Sequence, residues 1–89
     1  MQARWHPSSE DHIARHGVLW SEVVEAMEPP TVTDPTTRGP LRVLGQTYAG
    51  RVLAIFVTAD DVRGTCYIVT ARTADDRERR TYHRRERKG

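Results

Sequence analysis

The sequence predicts a small α+β domain, with two N-terminal helices and a C-terminal helix packed on a three- to four-stranded antiparallel sheet. Three observations carry that expectation. Leu41 to Tyr48, Arg51 to Ala59 and Thr65 to Ala71 read as strands, and the spacers between them, Ala49-Gly50 and Asp60 to Gly64, are of hairpin length. Ahead of these runs lie two segments bounded by helix start and stop residues. Behind them Thr73 opens a charged segment with helical spacing.

Each element follows from local chemistry. Around Arg4-Trp5-His6 the chain is extended, because Pro7 disfavours the helical region for His6, and Ser8 or Ser9 then caps a helix beginning at Glu10. Gly17 ends that helix as the C′ residue, which accepts positive φ without a Cβ clash. Ser21 caps a second helix through about Met27, with Val23, Val24 and Met27 facing the core, and Pro29-Pro30 stops it. The Thr-, Pro-, Asp- and Gly-rich stretch from Thr31 to Pro40 reads as a loop or irregular edge strand. Thr73 with Asp76 forms a capping box for the last helix, along which Asp75/Arg79 and Asp76/Arg80 are i,i+4 pairs.

Eighty-nine residues make a single domain, 1–89, with one modest core. Its charge is polarised. Residues 1–28 hold two arginines against five acids, whereas residues 73–89 hold six arginines and Lys88 against four acids. Arginine outnumbers lysine thirteen to one, a bias that suits phosphate or interface contacts because guanidinium is planar, permanently charged and bidentate. The lone cysteine, Cys66, lies in an apolar strand and reads as core in a reducing compartment. Val52 to Val57 is the longest apolar run, far short of a membrane span, so a cytoplasmic location is expected.

Arg77, Arg80, Arg84 and Arg87 follow offsets of 3, 4 and 3 and form one stripe on the last helix. Such a stripe fits nucleic-acid phosphates, and equally describes a solvated helix face. His12 and His16 stand at i,i+4 with no third ligand of convincing spacing, so neither a metal nor another cofactor is expected. The serines lack a Gly-x-Ser-x-Gly context and no glycine-rich phosphate loop occurs.

The order of short motifs resembles the BrnT-type toxins of type II toxin–antitoxin modules, a branch of the RelE/ParE-like superfamily. Trp5-His6-Pro7 resembles the family's opening Trp-Asp-Pro, Arg15 to Val18 its Lys-His-Gly-Val, and Glu22 to Met27 its Glu-Glu-Ala helix. Arg42, Gly45 and Gly50-Arg51 fall in its Arg, Gly and Gly-Arg strand pattern. Ile68 to Arg72 resembles Ile-Ile-Ser-Ala-Arg, and Ala74 to Tyr82 resembles Ala-x-x-x-Glu-Arg-x-x-Tyr. His6 and Thr73 depart from the family's Asp and Lys, and Gly39-Pro40 from its Gly-Glu.

The resemblance implies a metal-free ribonuclease toxin that arrests growth. It also implies a cognate antitoxin, a small ribbon-helix-helix protein through which alone operator DNA is bound. Metal-free RNA cleavage needs a proton acceptor, donors for the charge developing on phosphorus, and an acid for the leaving oxygen. Arg72 at a strand end and Arg51 at the start of the neighbouring strand are expected to converge on one phosphate, with Arg77, Arg80 and Arg84 contacting RNA. Tyr82 is either a site residue or an anchor for its helix, and His16 is either a base or a helix-end cap. The alternative is a catalytically silent module of the same fold that docks a partner protein; a DNA-binding repressor subunit is a third possibility.

Overall fold

The computed structural model describes residues 2–5, 13–36, 39–59 and 65–86. The Ser8/Ser9 cap, the helix start at Glu10, His12, the Asp60 to Gly64 turn, Arg87 and the side chain of Cys66 lie outside what is described. The strands are β1 (Gln2–Trp5), β2 (Val32–Pro35), β3 (Leu41–Gln46), β4 (Val52–Ala59) and β5 (Thr65–Thr73). The helices are α1, described over residues 13–15, α2 (Trp20–Ala26) and α3 (Asp76–Glu86).

The five strands lie in the order β1-β5-β4-β3-β2. β2 to β5 form the expected antiparallel meander, with Val43 opposite Ile55 and Ile55 opposite Ala71. The Thr31 to Pro40 stretch supplies β2 as an edge strand, where Pro35 costs no ladder bond that a central strand would need. The extended segment at Arg4-Trp5 adds the opposite edge, pairing parallel to β5 with Gln2 opposite Thr65. Two helices between β1 and the rest of the sheet provide the long connection a parallel neighbour requires.

Alternation along the strands gives the sheet two apolar faces. Ile13, Val18, Val23 and Ala26 from the α1–α2 region pack on Val43, Leu53, Ile55, Val57, Ile68 and Ala71. On the other face Tyr82 of α3 and Ala74 pack on Val32, Leu44, Val52 and Ala54. The sheet is therefore sandwiched, with α1 and α2 on one side and α3 on the other.

Helix ends confirm some expectations and correct others. Gly17, at φ 70°, closes α1 with bonds from its own N–H to Ala14 and from the Val18 N–H to Ile13, the paired pattern of a Schellman cap. α2 is capped at Leu19, not Ser21: half-buried Trp20 is drawn into the core, and Glu22 Oε1 accepts from the Leu19 N–H at 3.0 Å. Val24 stays 47% exposed, because Val23, Ala26 and Met27 already form the inward side of this short helix. The α3 capping box is Asp75 with Glu78, not Thr73 with Asp76. Thr73 is still in β5 opposite Leu53, while Asp75 Oδ1 accepts from the Glu78 N–H at 2.8 Å and Glu78 Oε1 accepts from the Asp75 N–H at 2.9 Å.

Close packing of α2 on β3 depends on Gly45. A Cβ there would overlap the Ala26 carbonyl oxygen, so only glycine lets the helix end sit against the strand. No helix among the described residues is long and apolar enough to cross a membrane.

Candidate functional site

The α3 face carries a cluster of charges around one buried carboxylate. Glu78, facing inward from the first turn of α3, is 3% exposed. Arg72 approaches from β5 as a fork, its Nη1 donating to Oε1 at 2.6 Å and its Nη2 to Oε2 at 3.1 Å. Arg42 on β3 donates from Nη1 to Oε2 at 3.3 Å and from Nη2 to Asp34 Oδ2 at 3.2 Å. Arg85, further along α3, closes the row on Asp34 at 2.5 Å. Three guanidinium groups thus converge on the Glu78 and Asp34 carboxylates, and the nearby Asp75 carboxylate, which acts on both Arg72 and Arg42, offsets the third positive charge.

Electrostatics agree with the geometry. The hydrogen bond to Glu78 holds the Arg72 guanidinium even more firmly protonated than usual, against the opposing effect of partial burial. Hydrogen bonding from Arg85, and then from Arg42, keeps the Asp34 carboxyl below the ordinary carboxylate range. Arg72 remains 37% exposed and Arg42 30% exposed at their side chains, so both are reachable from solvent. Arg72 also lies over the Phe56 ring, with its guanidinium carbon 5.4 Å from the ring centroid.

Arg51 does not join this cluster, which corrects the expected convergence with Arg72. Arg72 lies opposite Ala54, on the α3 face, whereas Arg51 has the parity of Leu53 and lies on the α1–α2 face. There it donates to the Gly17 carbonyl at 3.0 Å, to Glu22 at 3.1 and 3.2 Å, and to Thr73 Oγ1 at 3.0 Å. These bonds tie the α1–α2 turn, α2 and β5 together. His16 is exposed in that same turn, on the side of the sheet away from Arg72. Tyr82 is 2% exposed, its ring in the second core and its hydroxyl donating to the Pro30 carbonyl at 3.2 Å. Burial, followed by nearby Glu86, pushes its phenol pKa up, as befits an anchor.

Arg77, Arg80 and Arg84 are exposed on the side of α3 opposite Glu78 and Tyr82, and their side chains have no ion pair or hydrogen bond among the described residues. The expected i,i+4 pairs do not form: Asp75 is committed to the cap, and Asp76 pairs with Arg79 at i,i+3. Arg80 is left unneutralised by that rearrangement. A cleft of about 210 Å³ elsewhere is lined by Glu25, Glu28, Glu86 and Tyr48, a charge that repels phosphate.

Among the described residues no three His, Cys, Asp or Glu side chains are grouped to hold a metal ion. The chain matches no protein-family model, and no curated protein matches it. The site is therefore read from its own geometry. Sequence reasoning passed over Glu78 as an ion-pair centre, although its three-residue spacing from Asp75 is a capping-box signal that brings it to the strand end. Arg42 stood in the motif series without an assigned role.

Proposed function

We propose that the chain is the toxin component of a type II toxin–antitoxin module, a metal-independent endoribonuclease that cleaves RNA in the cytoplasm and arrests growth. The observation that carries this reading is the accessible Arg72 fork, held by buried Glu78 beside Arg42 and backed by a free arginine stripe on the same helix. Glu78 fixes the guanidinium plane before substrate arrives. Arg72 and Arg42 then donate their remaining N–H groups to a phosphoryl oxygen, and such preorganised donors are each worth about 10²–10³ in rate. Arg77, Arg80 and Arg84 attract the RNA backbone, a sequence-independent contact.

Arg51 and Tyr82 are engaged in structural work, as a tether and an anchor, and His16 lies exposed on the side of the sheet away from Arg72. The engagement of Arg51 and Tyr82 supports a second reading, a silent module of this fold that docks a partner protein. In both readings the partner is a small ribbon-helix-helix antitoxin whose acidic segment lies over the α3 stripe and which alone contacts operator DNA. Expression of the chain by itself separates them. Growth arrest relieved by the antitoxin, with single-stranded RNA cut in the presence of chelator, supports the toxin. Folded protein that neither arrests growth nor cuts RNA, with or without ribosomes, leaves the docking module.

A further inference from the structure

Arg72 is held from two sides. Glu78 takes one N–H from each terminal nitrogen of its guanidinium, at 2.6 and 3.1 Å, and the Thr73 carbonyl accepts a further one from Nη1 at 3.3 Å. Among the described residues the Nε–H and the second Nη2–H have no partner, and in a planar guanidinium these two lie parallel along one edge. Such an edge can grip two oxygens of a phosphate. The second support is a ring: the guanidinium carbon stands 5.4 Å over the centroid of Phe56.

Sheet register brings the ring there. Arg72 on β5 lies opposite Ala54 on β4, a side chain too small to compete for the space between them. Phe56 is the next residue along β4 on the same face and so the diagonal neighbour of Arg72, at a separation of about 7–8 Å that an aromatic and a long side chain can span. Half-buried Phe56 packs against the α3-side core of Leu44, Val52 and Ala54, which makes it a fixed surface. Arg42, the second arginine that donates to Glu78, is its cross-strand partner on β3. One ring therefore adjoins both arginines that Glu78 gathers.

We infer that Phe56 is a positioning residue for Arg72: its ring bears on the guanidinium face and holds the free Nε–H and Nη2–H edge toward the phosphoryl group. A guanidinium bonded along one edge is hinged there, and its opposite edge can tilt toward water. A fixed ring under one face blocks the tilt, and the attraction of a cation to an aromatic face draws the plane back onto its seat. The ring also keeps water from that face, and hydrogen bonds offered from a drier site are stronger. Preorganisation of this kind acts on the rate and leaves RNA affinity to Arg77, Arg80 and Arg84. The inference rests on the ribonuclease reading above, and goes beyond it by giving a role in the reaction to a side chain with no charge and no hydrogen-bonding group.

The test compares the full chain with its Phe56→Leu and Phe56→Tyr variants in steady-state cleavage of a single-stranded RNA, with rates taken per folded molecule by circular dichroism. Phe56→Leu should lower kcat about five- to tenfold with KM within about twofold, and Phe56→Tyr, which keeps the ring, should return kcat to within about twofold of wild type. Phe56→Met, of similar volume, takes the place of Phe56→Leu if that variant folds poorly. Nuclear magnetic resonance of isotope-labelled protein reads the contact itself. The Arg72 Nε–H signal, identified by its loss in Arg72→Lys, should be moved upfield by the ring current in wild type and Phe56→Tyr and return to the ordinary arginine position in Phe56→Leu, a change that lost packing does not produce. Unchanged kcat in folded Phe56→Leu, or a loss that Phe56→Tyr does not restore, refutes the positioning role while cleavage by wild type keeps the ribonuclease reading. Wild type that cuts no RNA overturns both.

Discussion

Replacing Glu78 tests what holds the site together. Its carboxylate accepts the Arg72 fork, one Arg42 N–H and the Asp75 N–H that opens α3, and its side chain is only 4% exposed. Glu78→Ala leaves two guanidinium groups without their shared partner and one helix-terminal N–H unsatisfied. Removing one member of a buried ion pair costs about 3–5 kcal/mol, and loss of a cap about 1 kcal/mol. Arg72 and Arg42 are about a third exposed and recover part of their hydration, so the lower end applies, about 3 kcal/mol in all. For a chain of 89 residues that is a large share of a total stability of about 5–10 kcal/mol, and it should lower the melting temperature by about 10–20 °C. Glu78→Gln keeps the volume and a cap acceptor while losing the charge, and should cost about half as much. Urea and thermal unfolding followed by circular dichroism measure both. Glu78→Ala within about 0.5 kcal/mol of wild type would show that the cluster is not a structural unit and that Arg72 is not preorganised by it.

Three further outcomes follow from contacts elsewhere. Gly45→Ala places a methyl against the Ala26 carbonyl and should cost at least about 3 kcal/mol or prevent folding, whereas unchanged unfolding would mean that α2 does not sit so close. Arg51→Ala should lower stability by about 1–2 kcal/mol through its lost tethers to Gly17, Glu22 and Thr73, yet leave RNA cleavage by the folded fraction intact; selective loss of cleavage would return Arg51 to the site. Asp34, held by Arg85, and Glu22, held first by the Leu19 N–H and then by Arg51, titrate lower in the folded chain than in the unfolded one. Their contribution should be complete above about pH 4.5 and lost as pH falls through the folded values, and Asp34→Asn should flatten that acid limb in pH-dependent urea melts.

The meander and the C′ role of Gly17 were legible in the sequence because each rests on local chemistry: spacer length in one case, a positive-φ residue in the other. β2 was legible only as an ambiguous stretch, since Thr and Pro permit either a loop or an edge. The parallel β1–β5 contact depends on tertiary closure, of which a four-residue strand carries no trace. Both misplaced caps have one cause. A side chain with capping chemistry was available at Ser21 and at Thr73, but burial of Trp20 and continuation of β5 through Thr73 set the boundaries elsewhere. Face parity decided the site. Arg51 and Arg72 sit near the same end of adjacent antiparallel strands, as their positions suggested, yet the two-residue period sends them to opposite sides of the sheet.

RNA cleavage by Arg72→Ala tests the central claim most directly. A gel assay on mixed-sequence single-stranded RNA, in chelator and with circular dichroism as the folding control, should show wild-type cleavage reduced at least about a hundredfold in Arg72→Ala, equivalent to about 2.7 kcal/mol of transition-state stabilisation. Arg72→Lys should recover only part of it, because ammonium keeps the charge and loses the fork. Equal cleavage by wild type and a folded Arg72→Ala would contradict the account, placing the chemistry away from the α3 face.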